Sequence, residues 1–151
     1  MSALTYDIEH KQFRDTAARF VAEQITPSHE SWEVAGQWDR SLFTEAGKNG
    51  LIGFEVDEQF GGPGVDDFRY NAILIDEIAR TGAAAEAIAF SLQNDVVLPY
   101  LTELTTDEQK ARWLPKASID AFAMDRAITR SLGVADPLGN NSWDRRSTGS
   151  Y

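Results

Sequence analysis

An all-α fold is predicted by three features of the sequence. Apolar residues recur at helical spacing, cap and stop signals sit at the ends of those runs, and β-type alternation is sparse. A length of 151 residues fits one domain with a tail.

The first helix is read from Tyr6 to Ile25, where Phe13, Ala17, Phe20, Val21 and Ile25 share a face and Lys11, Arg14, Asp15 and Arg19 fall between them. Pro27 closes it. A short second helix is expected over Glu30 to Ala35, stopped by Gly36. Asp39 can cap a third helix starting at Arg40, with Asn49-Gly50 as its stop signal. Gly53 to Val65 reads as an irregular loop, because Gly61-Gly62-Pro63-Gly64 sustains neither helix nor central strand. Asp66 or Asp67 caps the next helix, which runs to about Arg80 and ends at Thr81-Gly82. Ala83 to Tyr100 reads as another helix, kinked or terminated near Pro99. In the last, Thr105 and Glu108 have the spacing of a capping box, and Leu114-Pro115 ends it.

Two of these helices are unusually apolar. Ile73, Leu74 and Ile75 are consecutive and project around most of a turn, while Ala83 to Phe90 holds a single charge, Glu86. Such helices need cover on more than one face. After Met124 the character changes: residues 125–151 are rich in Gly, Ser and Asn, lack periodicity and carry a net charge of +1 against −11 for the rest. The expected organisation is therefore a helical domain at 1–124 and an irregular, disordered tail at 125–151.

A net charge of −10 repels phosphate backbones and anionic lipid heads, so neither nucleic acid nor a membrane is an expected partner. Cysteine is absent, which removes disulfides, thiolate catalysis and Cys-based zinc sites. Met1 to Gln12 lacks a signal-peptide pattern and no run of about 18 apolar residues occurs, so a soluble cytoplasmic protein is expected.

Chemical motifs are few. His10 and His29 lie on different predicted elements and read as surface or capping residues, so no metal site is expected. The Gly61–Gly64 loop lacks the Lys-Ser/Thr pair of a P-loop and the strand-then-helix setting of a dinucleotide fingerprint, and reads as a turn. Asp57-Glu58, Asp66-Asp67 and Asp76-Glu77 are carboxylate pairs. Adjacent helical side chains diverge by about 100°, so Asp76 and Glu77 do not read as one acid/base site. No nucleophile elbow or Ser/His/Asp set is present, so no catalytic residue is assigned.

Two ordered segments go further. Gly50-Leu51-Ile52-Gly53-Phe54 followed by Glu58-Gln59-Phe60-Gly61-Gly62-Pro63-Gly64 resembles the GLxG…E-x-[YF]-GG-x-G segment of acyl-CoA dehydrogenases. Pro99-Tyr100-Leu101, Thr106-Asp107-Glu108-Gln109-Lys110 and Trp113-Leu114-Pro115 resemble that family's PYL…T-x-EQK…WLP segment, and Trp32 to Gly36 is similar to its long-chain subgroup. The resemblance covers about residues 6 to 124. It implies an enzyme with an N-terminal helical domain, a β-domain and a C-terminal helical domain around FAD and an acyl-CoA thioester, assembled as a homo-oligomer (tetramer or dimer). A glutamate of the C-terminal domain takes the α-proton and flavin N5 takes the β-hydride. The N-terminal domain supplies a wall of the acyl-chain pocket, expected here from the helix holding Phe90, Ser91, Leu92 and Asp95. No cofactor-binding residue is identifiable, and this chain alone is not expected to retain FAD.

The sequence also departs from the family's pattern. A glycine is usual where Thr105 stands, and the link from Pro115 to Met124 is short. Ala121-Phe122-Ala123-Met124 resembles the start of the family's A-[IF]-A-M-T-E-P motif, but Asp125-Arg126-Ala127 replaces Thr-Glu-Pro. If those residues are encoded GAC-CGA-GCC and Ile128 begins with A, reading one base later gives Thr-Glu-Pro. The tail then reads as out-of-frame translation, and the chain as a dehydrogenase truncated or frameshifted after Met124 and inactive alone. The alternative is a stand-alone helical interaction module docking on a flavoprotein partner. A flavin monooxygenase of the same fold is a nearer variant, against which the Ala-Phe-Ala-Met stub argues.

Overall fold

The computed structural model describes residues 5–39 and 41–117, which form helices and turns with no strand among them. The Ala121–Met124 stub and the tail at 125–151 lie outside the described residues.

Helix α1 (Ile8–Phe20) begins where the Asp7 side chain accepts the backbone N–H groups of Glu9 and His10. It widens into a π-helical turn over Val21–Ile25, closed by the Thr26 N–H on the Val21 carbonyl at 2.9 Å, and stops before Pro27. Ala17, Phe20, Val21 and Ile25 are buried, the face their spacing predicts. Helix α2 (His29–Ala35) buries no residue and ends on Gly36, whose φ of 66° is left-handed. Helix α3 (Ser41–Lys48) is preceded by Asp39, which accepts the Ser41 N–H at 3.0 Å.

The loop from Leu51 to Asp66 is irregular, as expected, apart from a 3-10 turn at Glu58–Phe60. It is nonetheless a core element, because Leu51, Ile52, Phe54 and Val56 are all buried. Fully burying a side chain of this kind contributes roughly 1.5–3 kcal/mol. Asp67, rather than Asp66, caps α4 (Phe68–Ala79) through the Arg69 N–H. This helix packs between α1 and α5 (Ala84–Ser91), burying Ile73, Leu74 and Ile78.

Expectations at three helix ends are narrowed or corrected. Near Pro99, where a kink or a stop was expected, the rod does not stop: it passes through a π turn at Leu92–Val97 into α6 (Leu98–Leu104). The wide turn lies immediately before the proline, where a tight α turn would set the ring against the carbonyl four residues back. Helix α7 (Asp107–Ala117) likewise runs through Pro115, near its C-terminus. There the missing N–H deprives only the solvent-exposed Ala111, whose carbonyl water can serve. The capping box is displaced by one residue, for Thr106 N–H donates to Gln109 Oε1 at 3.0 Å and Gln109 N–H to Thr106 Oγ1 at 3.3 Å. Thr105 instead donates its hydroxyl to the Leu101 carbonyl.

Candidate functional site

The rod formed by α5, the π turn and α6 separates the expected wall residues by depth. Phe90 is fully buried, stacked on Phe43 at 5.1 Å between centroids and edge-on to Phe20 at 6.2 Å. Within the described residues it packs in the core, behind the surface that the rod presents. Leu92 is half exposed, and Ser91 donates its hydroxyl to Asp95 at 2.6 Å.

Leu92 belongs to a longer stripe. Ile88, Leu92, Val96, Tyr100 and Leu104 follow one another at intervals of four, each between 41% and 71% exposed, with Phe68 of α4 a further exposed apolar side chain. On a bundle whose interior is otherwise closed, that is a large uncovered apolar feature.

Beneath the stripe lies a polar network that the sequence reading missed. Asn71 of α4, 4% exposed, donates its amide to Asp95 and accepts from Asn94 at 3.1 Å. Asn94 reaches on to the loop, donating to the Leu51 carbonyl and accepting the Gly53 N–H, each at 3.2 Å. The only signal in the sequence was polar residues, Asn71 and Gln93-Asn94-Asp95, within apolar helices. A shallow cleft opens over this network, with Phe54, Glu55, Asp67, Phe68, Asp95 and Leu98 in its lining. Desolvation, followed by the nearby carboxylates of Asp66, Asp95 and Glu103, pushes the Glu55 carboxyl above its usual range.

Both histidines, expected as surface or capping residues, are drawn in against carboxylates. His10 is buried against Tyr70, with Nδ1 2.6 Å from Asp7 and Nε2 3.2 Å from Asp67. Hydrogen bonds from Arg69 are the main reason the Asp67 carboxyl lies far below the ordinary carboxylate range. His29 points Nδ1 at Glu86, 3.1 Å away and 1% exposed. Asp76 and Glu77 diverge as adjacent residues but are gathered by Arg14 of α1, which ion-pairs with both. Among the described residues, no group of three or more His, Asp or Glu could hold a metal ion.

The described residues do not fit the phosphates of a dinucleotide such as FAD. The N–H groups of the glycine loop are turned inward, Gly62 to the Asp57 carbonyl and Gly64 to Val56 at 2.8 Å. Glu55, Asp67 and Asp95 give the neighbouring cleft the wrong charge for pyrophosphate. None of the described helices is long and apolar enough to cross a membrane.

Comparison with known proteins agrees with this architecture. The family model described as acyl-CoA dehydrogenase, N-terminal domain, matches residues 7–118. The long-chain specific acyl-CoA dehydrogenase, mitochondrial, of Rattus norvegicus is 36% identical over 142 residues, covering 94% of this chain and 32% of that protein. That share exceeds what residues 1–124 alone could supply. The short/branched chain specific acyl-CoA dehydrogenase, mitochondrial, of Bos taurus is 27% identical, over 77% of this chain and 26% of that protein. Among solved structures, an acyl-CoA dehydrogenase from Geobacillus kaustophilus superposes with a TM-score of 0.72 at 32% identity, covering 80% of this chain and 31% of that one. This chain thus spans about a third of the length of the relatives it matches. It belongs to the acyl-CoA dehydrogenase family, and its described helices form that family's N-terminal helical domain.

Proposed function

We propose that this chain is a fragment of an FAD-dependent acyl-CoA dehydrogenase, an enzyme of fatty acid β-oxidation that removes hydrogens from the α and β carbons of acyl-CoA thioesters. Its part is one wall of the acyl-chain pocket, and alone it is inactive. The observation that carries this reading is the exposed stripe from Ile88 to Leu104 on a family N-terminal domain. Of the residues first expected on the wall, Leu92 makes it, Ser91 and Asp95 edge it, and Phe90 supports it from behind. In the bound enzyme the flavin supplies the hydride acceptor. The base and most of the FAD site belong to parts other than residues 7–118, and homo-oligomeric assembly belongs to the whole enzyme. A cytoplasmic location is part of the proposal.

The test has two parts. The purified chain is expected to retain no FAD, and a stoichiometric yellow complex would overturn the fragment reading. Residues 7–118 grafted into a long-chain relative, in place of its own helical domain, are expected to give dye-coupled acyl-CoA oxidation. A folded, flavin-loaded graft without acyl-CoA oxidation would remove the wall from the proposal.

The same stripe also fits a second reading, a helical module docking on a separate flavoprotein partner. Co-purification with a β-domain-bearing subunit would favour it. The partition at Met124 is tested at the DNA. If the frame one base over encodes Thr-Glu-Pro and then a β-domain, residues 125–151 are out-of-frame translation. The rat long-chain match, which reaches past Met124, argues the other way. A coding sequence without that frame would make the tail native.

A further inference from the structure

The π turn at Leu92–Val97 is defined by a direct contact: the Leu98 N–H bonds to the carbonyl of Gln93, five residues back, instead of to Asn94. This register has a geometric consequence for the stripe. In a regular α-helix a step of four residues overshoots a full turn by roughly 40°, so Ile88 and Leu104 would face nearly opposite ways. A turn closed over five residues is wider, so the same step overshoots less or falls short. Interposing it keeps all five residues exposed along the rod.

Regular α-helix is the cheaper local structure, and Pro99 disfavours a tight turn before it without fixing which carbonyl the Leu98 N–H takes. The groups in place are the side chains of Asn94 and Asp95, consecutive residues held by the two ends of a single buried amide, that of Asn71. Asn94 is fixed a second time by the Leu51–Gly53 loop, and Asp95 by Ser91. We propose that Asn71 is a positioning residue that sets the π register of this rod, and thereby the direction in which Leu92 and Val96 face. Its amide matches its partners: the NH2 end meets a carboxylate and the carbonyl end meets an amide donor. The further step, that the surface so aligned meets an acyl chain, rests on the function proposed above.

The register can be read with no acyl ligand present, so its failure and the failure of the functional reading are separate results. The full chain is isotope-labelled, and the through-hydrogen-bond coupling from the Leu98 amide nitrogen is assigned to a carbonyl carbon. In the unaltered chain it is expected at Gln93. Asn71→Asp keeps the acceptor for Asn94 but sets two carboxylates together, so the coupling should move to Asn94 or vanish. Adding Asp95→Asn restores a donor–acceptor pair with the roles exchanged, and the coupling should return to Gln93. Because the chain has no cysteine, single cysteines at Ile88 and Val96 give a second readout. The thiol-labelling rate at Val96→Cys relative to Ile88→Cys should fall about fivefold or more in Asn71→Asp and recover in the double variant. A coupling that stays at Gln93 in Asn71→Asp, or a double variant that fails to restore it, overturns the assignment; the latter holds even if Asn71→Asp does not fold.

Discussion

His29 Nδ1 lies 3.1 Å from a carboxylate oxygen of Glu86, and this contact joins a helix with no buried residue to the interior of the bundle. The other Glu86 oxygen is buried without a hydrogen-bond partner, which makes the His29 contact costly to lose. The half-buried Trp32 also packs α2 against the core.

The pair predicts a direction for the pH dependence of α2. The hydrogen bond to Glu86 is the first cause, ahead of opposing desolvation, of a His29 pKa above its ordinary 6.5; the charges of Glu86, Glu33 and Glu30 act the same way. A folded-state pKa above the unfolded one stabilises fully below the unfolded value and less as pH rises through the folded one. Amide protection in α2 and the Trp32 emission should therefore report loosening as pH climbs above 6.5. In His29→Gln that pH-dependent component should be gone. Tighter α2 at high pH would contradict the assignment.

Phe90 and Leu92 should separate by mutation, although only two residues apart. Truncating the fully buried ring, Phe90→Ala, leaves a cavity beside Phe20 and Phe43 and should cost about 3–5 kcal/mol in denaturant unfolding. Leu92→Ala removes a half-exposed side chain and should stay within about 0.5 kcal/mol. In the grafted enzyme the order should invert for acyl-CoA binding, with Leu92→Ala raising KM while Phe90→Ala mainly lowers the melting temperature. Equal effects of the two on stability would contradict the assigned depths.

Helix existence and most boundaries were legible because they depend on local chemistry. Asp39, Gly36, Gly50 and the Asp66-Asp67 pair all act within a few residues of where they stand. What was not legible depends on residues distant in the chain. Asn71 meets Asn94 and Asp95 across 23 and 24 positions, and His10 meets Asp67 across 57. Whether the chain kinks or stops near Pro99 was likewise left open by the proline alone, and the continuation through a π turn shows only in the packed rod. The stripe was half visible: the apolar excess of the rod showed in the sequence, but which side stays uncovered depends on the packing of α4 and the Leu51–Val56 loop.

Gly62 and Gly61 are adjacent but exacting in different ways. A Cβ on Gly62 would lie 2.1 Å from the Val56 carbonyl oxygen, a backbone atom that cannot swing aside. Gly61 has open space around it but a φ of 88°. Gly61→Ala should therefore cost roughly 1–2 kcal/mol of backbone strain, read as a lower urea midpoint. Gly62→Ala must push the buried Val56 segment away and should cost more, with changed chemical shifts at Val56 and Phe54. A milder effect at Gly62 than at Gly61 would mean that the loop is looser than this packing.

The displaced capping box gives a prediction in which sequence spacing and structure disagree about the outcome. Thr105 and Glu108 satisfy the motif on paper, yet the reciprocal bonds run between Thr106 and Gln109. Thr106→Ala should cost about 1 kcal/mol, localised as loss of amide protection in the first turn of α7. Gln109→Ala removes the return bond to the exposed Thr106 N–H, so its cost should be smaller, since water can take its place. Glu108 is exposed, and Glu108→Ala should forfeit only its favourable charge at the helix start, about 0.3–1 kcal/mol and sensitive to salt. Salt therefore separates the two registers: the Thr106→Ala loss should persist at high ionic strength, where the Glu108→Ala loss fades. A salt-independent loss at Glu108, with none at Thr106, would return the cap to Thr105.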